Sequence, residues 1–311
     1  MTDTLQHQDG IWFGLSDTDY HADKALGSTG LKKLVHSAPD FWFESWMNPH
    51  HEDNDTEAKV FGRRLHTCVL EGVDKFKSLY APYMGKGNEK AGIAEIKAIK
   101  EAGKEPIKIK DYHKILLASL FIKKNRTLEK AFEGGLPEVS VFWTDGDIRF
   151  KARVDYLQTR SIVDLKSIDN QKGIEFTQAC RNAIANYDYI VSAHHYSEGR
   201  RQMKRLLQEG LVFGLPAGMD GWLINVANFQ SFAFVFVFWQ KSAAPISHGI
   251  MISPDNPIYD RASEMIAKAV ANYRRYMDEF GPDEPWVPTT QLDELYETDM
   301  PVWYQQKLIG A

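Results

Sequence analysis

Three charged side chains in a short apolar stretch hold the most chemical promise in this chain. Lys151-Ala-Arg-Val-Asp155-Tyr-Leu is followed by Ile162-Val-Asp164-Leu-Lys166. Side chains alternate faces along a strand, so Asp164 and Lys166 project from one face, one pleat repeat apart. Asp155 lies on the preceding strand of the same predicted hairpin, where cross-strand neighbours approach within about 5 Å at Cβ. Two carboxylates and an ammonium therefore converge on one spot. Carboxylate oxygens are hard ligands suited to Mg²⁺, and a bound divalent ion activates water and polarises a phosphoryl oxygen. A lysine beside it can orient or deprotonate that water and offset charge in the transition state. The alternative is a salt bridge on a strand face. The apolar neighbours Ile162, Val163 and Leu165 weigh toward chemistry, because unpaired charge at the edge of a core is costly.

The elements that must position these groups are legible on either side. Glu138–Trp143 alternates and is β-rich, and Thr144-Asp145-Gly146-Asp147 supplies turn chemistry. Ile148–Leu157 and Ser161–Ser167 follow as strands joined by Gln158-Thr159-Arg160, which together predict an antiparallel meander. Upstream, Ser28-Thr29 offers a hydroxyl cap for a helix carrying Leu31, Leu34 and Val35 and ending at Pro39. A second helix is predicted from about Thr56 to Glu71, with Phe61, Leu65 and Val69 on one stripe and Gly62 and His66 on the next. Glycine inside a helix costs roughly 1 kcal/mol relative to alanine, which suggests that another backbone or a ligand must come close to Gly62. His66 is then either a buried histidine bonded to a neighbour or a ligand. Downstream, helices are expected near Glu175–Ala185, Tyr187–Gln208 and Pro257–Phe280, with Ile224–Gln240 as paired strands. Residues 1–25 are expected to be a flexible N-terminus, 26–285 the domain with a lysine-rich helical insertion at 84–130, and 286–311 a tail.

Composition narrows the class. The chain has 311 residues, 43% hydrophobic and 25% charged, which suits a soluble globular domain with a sizeable core. No run approaches the roughly 18 apolar residues that span a bilayer, and the polar start MTDTLQHQDG lacks a signal pattern, so a cytoplasmic location is expected. Cys68 and Cys180 are too few for a four-cysteine zinc or iron–sulfur site. The net charge of -5 excludes a uniformly basic surface, yet Lys86 to Lys124 holds ten lysines against five acids. That stretch is either a solvated insertion or a DNA-facing element. Arg200, Arg201, Lys204 and Arg205 form either a solvated helix face or a row of phosphate contacts. Adjacent His194 and His195 face different ways on a helix and do not suggest a shared metal. No GxxxxGK[ST] phosphate loop is present.

Several motifs in order resemble the RecB-like branch of the PD-(D/E)xK nucleases, and within it the exonuclease VIII nuclease domain and related phage exonucleases. The matching text is Phe61-Gly-Arg-Arg-Leu-His66-Thr-Cys-Val-Leu-Glu71, Pro137-Glu138-Val-Ser-Val-Phe-Trp143, Lys151-Ala-Arg-Val-Asp155-Tyr and Ile162-Val-Asp164-Leu-Lys166-Ser. Gly27-Ser-Thr-Gly-Leu and the strand Phe232–Trp239 are also similar, so the resemblance spans about residues 25–280. It implies an α/β fold with a restriction-endonuclease-like core, a central mixed sheet containing the meander and flanked by helices. It implies His66, Asp155, Asp164 and the Leu165 backbone carbonyl as ligands of Mg²⁺ (Mn²⁺ able to substitute), without an iron–sulfur cluster. Lys166 becomes the catalytic lysine and Glu138 an acidic group at the site's edge. The family's glutamine four residues before a tyrosine is replaced here by Ser192 before Tyr196, which share a helical face and would contact substrate. The implied activity is a double-strand DNA exonuclease of phage or prophage recombination, working beside a single-strand annealing protein and able to form a homo-oligomer. Competing readings are a catalytically silent nuclease fold kept for DNA binding or assembly, and an accessory nuclease of a CRISPR or helicase system.

Overall fold

A meander buried on both faces needs partner strands and helical cover, and these come from both ends of the chain. The computed structural model describes residues 7–52, 55–85, 87–288 and 290–309. The chain opens with β1 (Gly10–Trp12), α1 (Asp17–Ala22), α2 (Ser28–His36) and α3 (Ala38–Phe43). Next come α4 (Glu57–His66), a π-helical turn over Thr67–Glu71, α5 (Val73–Leu79), β2 (Tyr80–Tyr83), α6 (Lys90–Glu101), β3 (Glu105–Lys108) and α7 (Ile109–Lys124). The meander is β4 (Leu136–Asp145), β5 (Ile148–Leu157) and β6 (Ser161–Ile168). It is followed by α8 (Phe176–Asn186), α9 (Tyr189–Gln208), β7 (Val212–Phe213), α10 (Asp220–Asn228), β8 (Ala233–Gln240), β9 (Ser247–Ile252), α11 (Ile258–Phe280) and α12 (Val302–Ile309).

Seven strands form one mixed sheet in the order β7-β1-β4-β5-β6-β8-β9, and β2 pairs with β3 in a separate parallel ribbon. β4, β5 and β6 are antiparallel neighbours, whereas β6 and β8 are parallel and joined through α8, α9 and α10. The apolar run of β8 follows from burial on both faces. Phe234, Phe236 and Phe238 enter the core with residues of α2, α9 and α11, while Val237 and Trp239 enter the opposite core with residues of the π turn, α5 and α7. The sheet thus lies between two helical layers. Gly146, at φ +60°, makes the tight β4–β5 turn at the expected Asp-Gly.

Several expectations are corrected. Residues 7–25 are folded rather than loose: β1 pairs with β4, with Gly10 opposite Phe142. Cations of β5 tie this segment down, with Lys151 Nζ donating to the Tyr20 carbonyl at 2.8 Å and Arg153 Nη2 to the Leu15 carbonyl at 2.9 Å. The lysine-rich insertion contains β3 as well as helices, and β3 pairs with β2, which lies just before the insertion. Ile224–Gln240 is not a strand pair, because residues up to Asn228 belong to α10 and the antiparallel partner of β8 is β9. Neither hydroxyl caps α2, which starts after an uncapped Gly27. Trp286 is 2% exposed and stacks on Tyr276 at 5.4 Å, so the packed body runs past residue 285 into the expected tail. Residues 1–6, 53–54, Lys86, Thr289 and 310–311, which fall in segments anticipated from the sequence, lie outside the described residues.

Candidate metal and catalytic centre

The centre lies where β5 and β6 part. Their ladder holds only Tyr156 opposite Val163 and Leu157 opposite Ile162. Beyond these pairs the Asp155 carboxylate takes the place of a backbone acceptor, with the Leu165 N–H donating to its Oδ2 at 2.7 Å. An unpaired N–H buried in a sheet is costly, so Asp155 helps hold the strands in their splayed arrangement as well as presenting a charge. β6 continues with Asp164 and Lys166, whose Nζ is 2.6 Å from Asp164 Oδ2.

The fourth group comes from α4. Thr56 caps that helix through its Oγ1, which accepts from the Lys59 N–H at 3.2 Å. Leu65 and Val69 are buried as the stripe requires. The single helix expected to Glu71 instead ends at His66 and widens into the π turn. His66 Nδ1 lies 3.5 Å from Glu138 Oε1, and its Nε2 lies 3.9 Å from Asp155 Oδ2. Of the two neighbours expected at Gly62, a close backbone is absent: a Cβ there would meet nothing within 4 Å, so the space before it is open. Glu138 sits inside β4 at φ +51°, a left-handed conformation that costs a non-glycine residue on the order of 1 kcal/mol.

The electrostatics follow from burial and mutual charge. Burial opposes a charge on Lys166, but Asp164 and Asp155 outweigh it and hold the ammonium protonated well above the ordinary lysine range. Burial raises the Asp164 carboxyl, with Lys166 acting against the rise. His66 is pushed up to about 9, because Asp155 and Glu138 overcome the burial that disfavours its charge.

A divalent ion fits these residues on two observations. Ligand atoms of His66, Glu138 and Asp155 all lie within 4.8 Å of one another, the one such group among the described residues. Opposite ligands of Mg²⁺ at bonds of about 2.1 Å are roughly 4.2 Å apart, so small side-chain adjustments suffice. Asp164 is fully buried: its Oδ2 is engaged by Lys166 Nζ at 2.6 Å, and its Oδ1 has no partner among the described residues. Lys166 engages one oxygen, which leaves the lone pairs of Oδ1 free for a cation. Asp164 stands outside the His66–Glu138–Asp155 group in this arrangement and is turned to Lys166.

The expected substrate residues divide. Tyr196 stands at the edge of the centre, its Oη accepting from Ser28 Oγ at 3.3 Å. Burial raises its phenol to about 12; Lys166 opposes that shift, and Asp164 and Asp155 add to it. Ser192 is 3% exposed and Arg200 is 1% exposed, so the expectation that they meet substrate is corrected. Arg200 donates from Nη1 to the Gln158 carbonyl at 3.0 Å and from Nη2 to the Thr159 carbonyl at 2.5 Å. Its guanidinium also lies 4.0 Å over the Phe232 ring. It therefore clamps the β5–β6 turn from inside. Arg201 stays partly open, 3.4 Å from Glu198 Oε2, and Arg205 is paired with Glu209 at 2.9 Å. His195 is buried against the Lys151 carbonyl at 2.9 Å, while the His194 ring is near Tyr259.

One polar stripe of α2 was not anticipated from the sequence. Ser28, Lys32 and His36 follow at i, i+4 and i+8 on α2, on one helical face. They meet Tyr196, the Tyr189 ring at 5.3 Å and Asp188 at 2.6 Å respectively. Burial and the neighbouring Lys166 draw Lys32 down to about 8. The polar spacing beside the Leu31/Leu34/Val35 stripe was the available signal.

Comparison with known proteins agrees with this fold. A family model described as "PDDEXK-like domain of unknown function (DUF3799)" matches residues 28–211. The crystal structure of the "Putative exonuclease" from Eubacterium rectale superposes with a TM-score of 0.52 at 14% identity, covering 85% of this chain and 88% of the other. A phage related exonuclease from Haemophilus somnus 129PT gives a TM-score of 0.31 at 12% identity, with 82% and 96% covered. No curated protein matches the chain. Among the described residues, no helix is long and apolar enough to cross a membrane.

Proposed function

The chain belongs to the family of PDDEXK-like domains described as DUF3799, and from that premise and the geometry of its centre we propose that it is a metal-dependent deoxyribonuclease. The observation that carries this reading is the meeting of Asp155, Asp164, Lys166, His66 and Glu138 at the parting of β5 and β6, with the buried Asp164 Oδ1 lacking a partner among the described residues. A salt bridge kept for stability would leave no such lone pairs, because burying them unmatched is unfavourable.

His66, Glu138, Asp155 and Asp164 would hold the ion, with the Leu165 carbonyl as a further ligand. Mg²⁺ is the expected ion, with Mn²⁺ able to substitute, given a mainly oxygen ligand set. When bound, it supplies an activated water and stabilises charge on the phosphoryl oxygen. Lys166, kept as an ammonium by two carboxylates, orients the attacking water and offsets charge on the phosphate; its part is electrostatic. Asp155 performs two tasks, since its Oδ2 also accepts from the Leu165 N–H, so its loss would disturb strand placement as well as charge. Tyr196 and Arg201 are offered as substrate contacts, and the lysines of α6, β3 and α7 as a DNA-facing surface.

The finer reading is an exonuclease acting on double-strand DNA ends in phage or prophage recombination, beside a single-strand annealing protein and as a homo-oligomer. The test is digestion of linear and closed circular duplex DNA with Mg²⁺ or EDTA, alongside Asp164→Ala and Lys166→Ala. Loss of linear DNA only, dependent on Mg²⁺ and absent in both variants, is the expected result. Cutting of the circle keeps the site and makes the enzyme an endonuclease. Cleavage that survives in both variants, or in EDTA, overturns the assignment of the centre. Absence of cleavage by the parent chain on every DNA form favours a silent binding module.

A further inference from the structure

The left-handed turn at the start of α9 does something that an ordinary helix start cannot. Residues two apart do not face each other on a helix, yet the Tyr187 and Tyr189 rings stack at 5.5 Å with 29° between their planes. The residue between them, Asp188, has φ +47° and ψ +44°, a conformation that L residues other than glycine adopt at a cost and that clusters at ligand sites. Its side chain caps no helix N–H. Its Oδ2 is instead 2.6 Å from His36 Nε2, which holds the turn against α2.

The stacked pair joins the centre to solvent. Tyr189 is the inner ring, with Lys166 Nζ 5.4 Å and Lys32 Nζ 5.3 Å from its centroid. Tyr187 is the outer ring and is 61% exposed. An aromatic so open adds little to the core, and the stacking gain is of the same order as the backbone strain. Fold stability therefore does not account for the arrangement. Two aromatic faces leading away from a phosphate-handling lysine are what a nucleobase requires, because bases stack on aromatic side chains irrespective of sequence.

Building on the nuclease reading above, we propose that Tyr187 and Tyr189 form a stacking platform for an unpaired base of the DNA strand whose phosphodiester is presented to Lys166. The substrate class follows: a strand with its base out of the duplex stack, such as a single strand, an overhang or a frayed end. A paired base inside a duplex has both faces occupied by its neighbours and cannot lie on the ring, so an internal site has to unstack before it engages.

The experiment uses the full chain and a single-stranded oligodeoxynucleotide carrying one 2-aminopurine, moved stepwise from the end. Binding is measured in EDTA and cleavage in Mg²⁺. The parent chain and Tyr187→Phe are expected to bind and to change the fluorescence at one register. Tyr187→Ala is expected to lose that change and to bind about tenfold more weakly, a loss within the range of one stacked base. In Mg²⁺, KM for unpaired ends should rise by a similar factor with kcat unchanged. Circular dichroism confirms that the variant is folded. A register-specific signal without cleavage of the single strand keeps the platform, and the nuclease reading then falls only if linear and circular duplexes are left intact as well. Equal binding by Tyr187→Ala and the parent, or failure of the parent to bind single strands, overturns the platform.

Discussion

Replacing Arg200 separates the two roles this residue could have had. Both terminal nitrogens donate to turn carbonyls, at 3.0 Å to Gln158 and 2.5 Å to Thr159, and the side chain is 1% exposed. Burial draws its guanidinium down to about 9, so it stays charged at neutral pH. Each hydrogen bond from a charged group contributes roughly 1.5–3 kcal/mol net. Two effects favour the low end of that range. Gln158 and Thr159 are only half-buried, so water can reach the freed carbonyls, and burying a guanidinium is itself unfavourable. Arg200→Ala should therefore destabilise the fold by about 3 kcal/mol. With an unfolding entropy of about 2.1 cal/mol/K per residue, a chain of 311 residues then loses roughly 5 °C in Tm. The assay pairs thermal denaturation with DNA binding across a salt series. A phosphate contact would give the opposite pattern: unchanged Tm and a salt slope lower by about 0.9. That pattern would refute the clamp.

Three further outcomes can be checked directly. Burial lowers His195 to about 4 from an ordinary 6.5, its bond to the Lys151 carbonyl opposing the shift. The unfolded chain therefore takes up the proton first, and stability that is complete above pH 6.5 is lost as pH falls toward 4. The loss at pH 5 is about 2 kcal/mol, or roughly 3 °C, and should disappear in His195→Gln; equal slopes in the parent and the variant would reject it. Trp286→Ala should cost about 3–5 kcal/mol as a buried aromatic truncation, whereas a chain ending at Val287 should melt within about 1 °C of the parent; melting curves that reverse this order would return the boundary to residue 285. Replacing the exposed Lys100, Lys108 and Lys110 by glutamine should lower the salt slope of DNA binding by up to about 3, and an unchanged slope would rule out a DNA-facing insertion.

The centre was legible where chemistry and local geometry coincide. Strand alternation puts Asp164 and Lys166 on one face, and the short hairpin turn brings Asp155 beside them, because both relations depend only on near neighbours in the chain. The apolar run of β8 likewise showed a strand without showing its partners. Ile224–Asn228 continues the apolar character into α10, so hydrophobicity alone could not separate helix from strand there. β1 consists of three residues, too few for a period, and is held by long-range pairing with Ser140, Val141 and Phe142 of β4.

What tertiary structure alone decided is which charges share a space. Arg200 and Arg201 are adjacent in sequence, yet one is locked beneath a turn and the other remains partly open, because packing of α9 against the sheet selects a face that a basic run does not reveal. Gly62 suggested a close backbone or ligand, and no other part of the described chain approaches it. Lys32 and Tyr189 reach Lys166 only because α2 lies along α9, more than a hundred residues away in sequence. The residue types and their near-neighbour spacing determined the kind of chemistry. The packing of helices onto a splayed sheet determined which side chains stand within reach of it.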